Sequence, residues 1–244
     1  MRDYESEFQK RVAWIRTIVA SARAKGVVFG NSGGKDSALV GILCKAACDK
    51  TVGVILPCGS KRNYGADACD ARTLADAYEI ETRTVDLSPA REALLAALGG
   101  EESLAEAAKI NLAPRLRMTA LYAIAADEGL LVAGTGNRSE RYMGYYTKWG
   151  DGACDFNPIA DLTAGEVFAF LEYLGAPRQI IDKAPSAGLF DGQTDEQEMG
   201  VSYAAIDAYI LSGEASEKDR AIIERYHRQS EHKRTGAAFY TEGE

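Results

Sequence analysis

A short apolar run, Val27 to Phe29, passes through Gly30 and Asn31 into Ser32-Gly33-Gly34-Lys35-Asp36-Ser37, and Ala38 to Ala47 then reads as a helix with Leu39, Val40 and Leu43 inward. A strand that enters a helix through glycines leaves free amide groups at the helix start, and the positive end of the helix dipole favours an anion there. Ser32 and Ser37 add hydroxyl donors. Asp36 is an acid placed where a phosphate is expected, which is repulsive unless a cation bridges the two, so Asp36 is the candidate Mg²⁺ ligand. The order Gly34-Lys35-Asp36 and the upstream glycine spacing differ from a Walker A loop. The plain alternative is a Gly-Ser turn with Lys35 and Asp36 solvated.

The rest of the chain repeats the strand-then-helix order. After an amphipathic helix from Tyr4 to Lys25 come strands at Val27–Asn31, Thr51–Leu56, Ile80–Leu87 and Leu130–Ala133, separated by helical stretches around Asp67 to Tyr78, after Pro89, and from Asn111 onward. Such alternation, with strands apolar on both faces, predicts a doubly wound parallel sheet flanked by helices. Ligands of open sheets gather beyond the carboxyl ends of the strands, near the switch in strand order, so Gly30–Gly34, Pro57–Gly65 and Gly134–Glu140 are expected together. From Thr163 the pattern is helical, with Thr163-x-x-Glu166 as a capping box and Ser216-x-x-Asp219 resembling one. One domain over 1–244, with C-terminal helices, is the expected organisation.

Length and charge narrow the function classes. At 244 residues a single substantial core is possible, and a net charge of −8 argues against a general nucleic-acid or membrane-surface protein. No apolar run approaches the roughly 20 residues of a spanning helix, and Met1 to Arg11 is too charged for a secretory signal, so a cytoplasmic location is expected. The cysteines, Cys44, Cys48, Cys58, Cys69 and Cys154, are odd in number and lack zinc or C-x-x-C spacing, which reads as reduced thiols.

A second constellation follows the last strand. In Gly134-Thr135-Gly136-Asn137-Arg138-Ser139-Glu140, Thr135 is placed to donate to a nucleotide and Glu140 to supply a second metal carboxylate; as a dinucleotide fingerprint the stretch is weak, because Ser139 stands at the third glycine position. Arg115 and Arg117 lie two apart on one helix, roughly 200° around its axis, so they cannot face the same ligand. Tyr142 to Asp155 gathers Tyr145, Tyr146, Lys148, Trp149, Asp151 and Asp155, a set able to hold a heteroaromatic ring and its substituents. His232-Lys233-Arg234 ends a helix, where cations suit the dipole in any case.

Taken in order, these segments resemble the ammonia-dependent NAD synthetases, within the N-type ATP pyrophosphatase superfamily. The matching motifs are Ser-Gly-Gly-x-Asp-Ser at 32–37, Leu56-Pro57, Pro114-Arg115-x-Arg117-Met118, Gly134 to Glu140, Thr147-Lys148-x-Gly150-Asp151-Gly152, Lys183-x-Pro185-Ser186-Ala187, Asp195-Glu196 to Gly200, and His232-Lys233-Arg234. The first loop indicates only the superfamily, and the later motifs indicate the synthetases. The resemblance implies an adenine nucleotide α-hydrolase-like fold and amidation of deamido-NAD with ATP and ammonia through an adenylated carboxylate, releasing AMP and pyrophosphate. It implies ATP contacts from Gly30, Asn31, Ser32, Gly33, Gly34, Lys35, Asp36, Ser37, Thr135 and Ser186, and Mg²⁺ at Asp36 and Glu140. Deamido-NAD contacts are implied for Arg115, Lys148, Asp155, His232 and Lys233. Asp36 and Lys183 are the implied catalytic residues, with Lys183 beside the reacting phosphates. A homodimer with the dinucleotide site near the subunit interface is implied, with free ammonia as donor and a separate glutaminase left open.

Two departures stand out. Family members commonly carry an ATP-contacting lysine where Ala164 stands, with Lys35 or Lys183 as the candidates to compensate, and the stretch Cys58 to Asp70 is atypical. The competing readings are another adenylating member of the superfamily, such as a tRNA thiolase or an amide ligase for a different acid, and a nucleotide-binding regulatory protein without turnover.

Overall fold

The structure is a computed structural model and describes residues 2–59, 64–183 and 195–240. Helix α1 (Tyr4–Ser21) precedes β1 (Gly26–Gly30), α2 (Lys35–Ala47), β2 (Thr51–Ile55), α3 (Ala66–Tyr78), β3 (Glu81–Thr84), α4 (Ser88–Ala97), α5 (Glu106–Ile110), α6 (Leu112–Glu128) and β4 (Leu130–Ala133). Then follow α7 (Arg138–Met143), α8 (Ala164–Tyr173), α9 (Arg178–Ile181), α10 (Asp195–Met199), α11 (Tyr203–Ser212), α12 (Glu217–Gln229) and α13 (Glu231–Arg234).

The four strands form one parallel sheet in the order β3-β2-β1-β4. Successive residues of a strand point to opposite faces, and both faces are covered. Val27 and Phe29 pack with Ile15 of α1, Leu39 and Leu43 of α2 and Phe170 of α8. Val28, Val52, Val54 and Val132 pack on the other face with Ala113 and Ala125 of α6. The C-terminal helices have their own apolar cluster, in which Met143 of α7 meets Met199, Ile206 and Ile223. Among the described residues, no helix is long and apolar enough to cross a membrane.

β3 departs from the expected pattern. It is shorter than Ile80–Leu87 and is not apolar on both faces; its residues Glu81, Thr82, Arg83 and Thr84 are exposed or half-buried. It is the sheet edge, where charges discourage pairing with another chain. Arg83 binds Glu81 and Glu128, and Lys50 binds the same two acids, so the charges form a network beside the edge.

The strand order reverses between β1 and β4, and the crevice at such a switch point is the ligand position of open α/β sheets. The loops after these two strands are the glycine-rich loop 31–34 and the loop 134–137. Both capping signals read from the sequence form: Thr163 and Glu166 close a reciprocal box at the start of α8, and the Ser216 hydroxyl accepts from the Asp219 amide.

Candidate active site

The glycine-rich loop is fixed from three sides. Asn31, almost fully buried, donates from its side-chain amide to the Ala71 carbonyl of α3 at 3.0 Å, and its side-chain oxygen accepts from the Gly33 amide at 3.4 Å. Gly33 has φ of 70°, and a Cβ there would sit 2.3 Å from the Asp67 carbonyl oxygen, so only glycine allows α3 to approach this closely. The hydroxyls of Ser32 and Ser37 lie 3.0 Å apart, and Ser32 also accepts from the Gly34 amide. Gly34, the residue before α2, supplies no side-chain cap, so the first turn of the helix keeps amides available to a ligand.

Both loop-side lysines are already engaged. Lys35 donates to the Ile181 carbonyl at 3.1 Å and to the Lys183 carbonyl, and burial pushes its ammonium below the ordinary lysine value. Lys183 donates to the Gly33 carbonyl at 3.2 Å, to Asp67 at 2.8 Å and to Asp70 at 2.6 Å, with Asp70 also receiving a hydrogen bond from Gln179. The arrangement ties the end of α9 and the start of α3 to the loop. Lys35, Lys183 and Ala164 all border one cavity, and at the start of α8 the Ala164 amide donates to the Ser139 hydroxyl and the Gly165 amide to Asp207.

The two predicted metal carboxylates are brought together from opposite sides of the switch point. Asp36 is in the first turn of α2 and Glu140 in that of α7. Burial raises Asp36 to about 6, against the lowering effect of a hydrogen bond from Asn137. Burial also raises Glu140 well above the carboxylate range, and the adjacent Asp36 adds to it. Two buried carboxylates that repel each other, presenting only hard oxygen donors, suit a divalent cation such as Mg²⁺. Asn137 joins them: its side-chain nitrogen donates to Asp36 at 3.1 Å, its side-chain oxygen accepts from the Glu140 amide at 2.9 Å, and its own amide donates to the Glu140 carboxylate at 3.0 Å.

These groups line a cavity of about 950 Å³ that runs from the loop to the C-terminal helices. Gly30, Asn31, Ser32, Gly34, Lys35, Asp36, Ser37, Thr135, Glu140, Lys183 and Lys233 all border it, whereas Gly33 sits behind the loop against α3. Lys233 donates to the carbonyls of Gly144 and Tyr146, both at 2.7 Å, and burial pushes its ammonium down although Asp151 opposes the shift.

Arg115, Lys148, Asp155 and His232 lie elsewhere. Arg115 and His232 are exposed; Arg115 donates to the Lys148 carbonyl at 3.4 Å, and Lys148 donates to the carbonyls of His232 and Gly236. Asp155 accepts from the Tyr122 hydroxyl at 3.2 Å and from the Val132 amide at 2.7 Å, which ties it to the edge of β4. Ser186 lies outside the described residues.

Sequence reasoning assigned no role to several cavity residues. Arg117 borders the cavity, donates to the Leu56 carbonyl at 3.0 Å, and is pushed below the ordinary arginine value by burial. The helical geometry separated it from Arg115, but nothing in the sequence says which of the two faces inward. Asp207 accepts from the Ser139 hydroxyl at 2.5 Å. Tyr203 donates to Asp195 at 3.2 Å and is raised far above the tyrosine range by burial, with Glu140, Asp195 and Asp36 adding to it. For Asn137 a signal existed: Asn-x-x-Glu is the spacing of a capping box.

The comparisons with known proteins agree with this architecture. The chain matches the family described as NAD synthase over residues 7–239. It is 46% identical over 238 residues to the NH(3)-dependent NAD(+) synthetase of Carboxydothermus hydrogenoformans, covering 95% of this chain and 96% of that protein. Its structure is similar to that of NMN synthetase from Francisella tularensis, with TM-score 0.92, 40% identity and coverage of 98% and 99%. It is also similar to the NH3-dependent NAD synthetase of Campylobacter jejuni, solved with a nitrate ion, with TM-score 0.81, 28% identity and coverage of 99% and 100%.

Proposed function

Since the chain belongs to the NAD synthase family, we propose that its cavity holds ATP and a nicotinate nucleotide end to end and joins ammonia to the nicotinate carboxyl. The chain is a carbon–nitrogen ligase that converts deamido-NAD to NAD with ATP and ammonia. The observation that carries the site assignment is the meeting of Asp36 and Glu140 at the switch point, beside the loop 31–37.

A carboxylate is a poor electrophile, and adenylation corrects this. A carboxylate oxygen attacks the α-phosphorus of ATP, the bond to the β-phosphate oxygen breaks, and pyrophosphate leaves. Ammonia then adds to the acyl carbon, AMP departs and a proton is lost, giving the amide. The protein contributes alignment and charge stabilisation. The open amides of α2 and the hydroxyls of Ser32 and Ser37 hold the leaving phosphates, and Thr135 approaches ATP from the loop after β4. Lys183 holds the Gly33 carbonyl and so fixes the loop, while Arg117 supplies positive charge from the β2 side. Asp36 and Glu140 would hold Mg²⁺, which when bound offsets phosphate charge. Exposed Arg115 and His232 are linked through half-buried Lys148 by side-chain bonds to backbone carbonyls outside the cavity, and we assign them to a homodimer in which this patch completes the nucleotide site of a neighbouring subunit.

The test is incubation of the purified protein with ATP, Mg²⁺, ammonium and deamido-NAD. NAD, AMP and pyrophosphate in equal amounts are expected; ADP with phosphate would overturn the mechanism. A second reading, an amide ligase that accepts nicotinate mononucleotide and makes NMN, is favoured by the likeness to the Francisella tularensis protein. Comparing kcat/KM for the two acids decides between them, and a higher value for the mononucleotide would replace the first reading.

A further inference from the structure

We propose that Asn137 is a positioning residue that sets the spacing and orientation of Asp36 and Glu140 as a cation-binding pair. The inference rests on reading those two carboxylates as cation ligands, and it concerns how the pair is held.

Asn137 is 2% exposed and borders the cavity. It caps α7, and the cap fixes which way its side-chain amide faces. The side-chain oxygen is committed to the Glu140 amide at 2.9 Å, so the nitrogen must point the other way, and there it meets Asp36 at 3.1 Å. Its backbone amide holds one Glu140 carboxylate oxygen at 3.0 Å. One residue therefore engages one oxygen of each acid. Among the described residues, the second oxygen of each carries no side-chain hydrogen bond, which leaves it for a ligand.

The residue type follows from two simultaneous demands. Asp, Ser and Thr cap a helix as well as Asn or nearly so. Asp brings no donor to Asp36 and adds like charge. Ser and Thr have a single oxygen, one bond nearer the backbone, which cannot both take the Glu140 amide and reach Asp36. Gln is longer and is not a preferred cap. Asn alone accepts on one side and donates on the other at this reach.

The experiment compares wild type with Asn137→Ser, Asn137→Thr and Glu140→Gln. Mn²⁺ binding in the presence of ATP is followed by electron paramagnetic resonance, and thermal unfolding is measured without metal. Ser and Thr keep the cap, so unfolding midpoints within about 3 °C of wild type are expected. The Mn²⁺ dissociation constant is expected to rise about tenfold in both, the size of one hydrogen bond to a charged group. In turnover, half-maximal rate should require correspondingly more Mg²⁺, with KM for the nicotinate nucleotide unchanged. Wild-type Mn²⁺ affinity in a folded Ser or Thr variant, alongside weakened binding in Glu140→Gln, overturns this inference alone. Unchanged binding in Glu140→Gln overturns the cation reading and this inference with it. Two variants guard against a single failure to fold.

Discussion

The cleft at the switch point and the patch around Arg115 satisfy their charged groups in opposite ways. In the cleft, Asp36 and Glu140 face each other with one neutral amide between them, and burial raises both. On the patch, the Lys148 ammonium donates to the backbone carbonyls of His232 and Gly236, as Lys233 at the cavity wall does to those of Gly144 and Tyr146. The cleft thus stores repulsion that a ligand relieves, whereas the patch uses its cations to fasten α13 and the chain after it to the loop 144–148. A substrate entering the cleft meets unmet charge; one reaching the patch meets groups that already have partners.

The largest expected effect tests the repulsion. Glu140→Gln should lower kcat by about 10²- to 10³-fold, as losing a group that acts on developing charge does. The same change should stabilise the metal-free protein by about 1 kcal/mol, since a neutral amide replaces an acid whose charged form burial and Asp36 disfavour. Calorimetry showing a destabilised variant would mean that the carboxylate is held by attraction. The pH dependence carries the same sign. Because Asp36 is raised from 3.8 to about 6, the folded state binds its proton more tightly than the unfolded chain does, so this contribution is greatest below 3.8 and is lost as pH rises through about 6. The difference in unfolding midpoint between wild type and Asp36→Asn should open across that window and shrink when Mg²⁺ and ATP are added.

Next in size is the patch. Arg115→Ala should raise KM for the nicotinate nucleotide by about 10- to 50-fold with KM for ATP unchanged, the loss of one charge-assisted contact. If the patch serves a neighbouring subunit, mixing inactive Asp36→Asn with Arg115→Ala after dissociation should restore about a quarter of wild-type activity, since half of randomly paired dimers are mixed and carry one intact site. No recovery would confine Arg115 to its own subunit.

Smaller changes concern the loop and Ala164. Asp70→Asn removes one of two carboxylates on Lys183 and should raise KM for ATP about threefold to tenfold, with little effect on the other substrate. Ala164→Lys places a cation at the cavity wall and should lower KM for ATP by a few fold, a modest gain because Asp207 stands beside it. An unchanged KM would show that the cleft does without a cation there.

Local chemistry was legible in the sequence and mutual chemistry was not. β1, β2 and β4 were found to within a residue or so because apolar runs bounded by glycines leave few alternatives, and Thr163 and Ser216 announced their helices. The strand Ile80–Leu87 exceeds β3 because residue-for-residue pairing with β2 ends at Thr84, although the Val85 and Leu87 amides still donate to the Ile55 and Pro57 carbonyls and keep the chain extended. The convergence of residues 31–37 with 134–140 followed from the rule for open sheets. What the sequence withheld was partnership across distance: that Lys183 is shared by Asp67, Asp70 and Gly33, that Arg117 and not Arg115 faces the cavity, and that Asp155 stitches the edge of β4. A motif names a residue's company along the chain, while these depend on how α3, α6 and α9 are set against the sheet.

The contact between Asp36 and Asn137 spans 101 positions and joins loops on either side of the β1–β4 pairing. Contacts of such separation form late, after the loop-closure entropy has been overcome. The chain through β3 carries Asp36 without Glu140, its opposing acid. The opposing acid arrives only with α7, after β4, so the repulsion belongs to the pairing of these two distant segments and not to either one alone. A ligand that bridges the two acids can bind only where both segments are in place, so whatever it contributes to stability is tied to the closing of this one long-range contact.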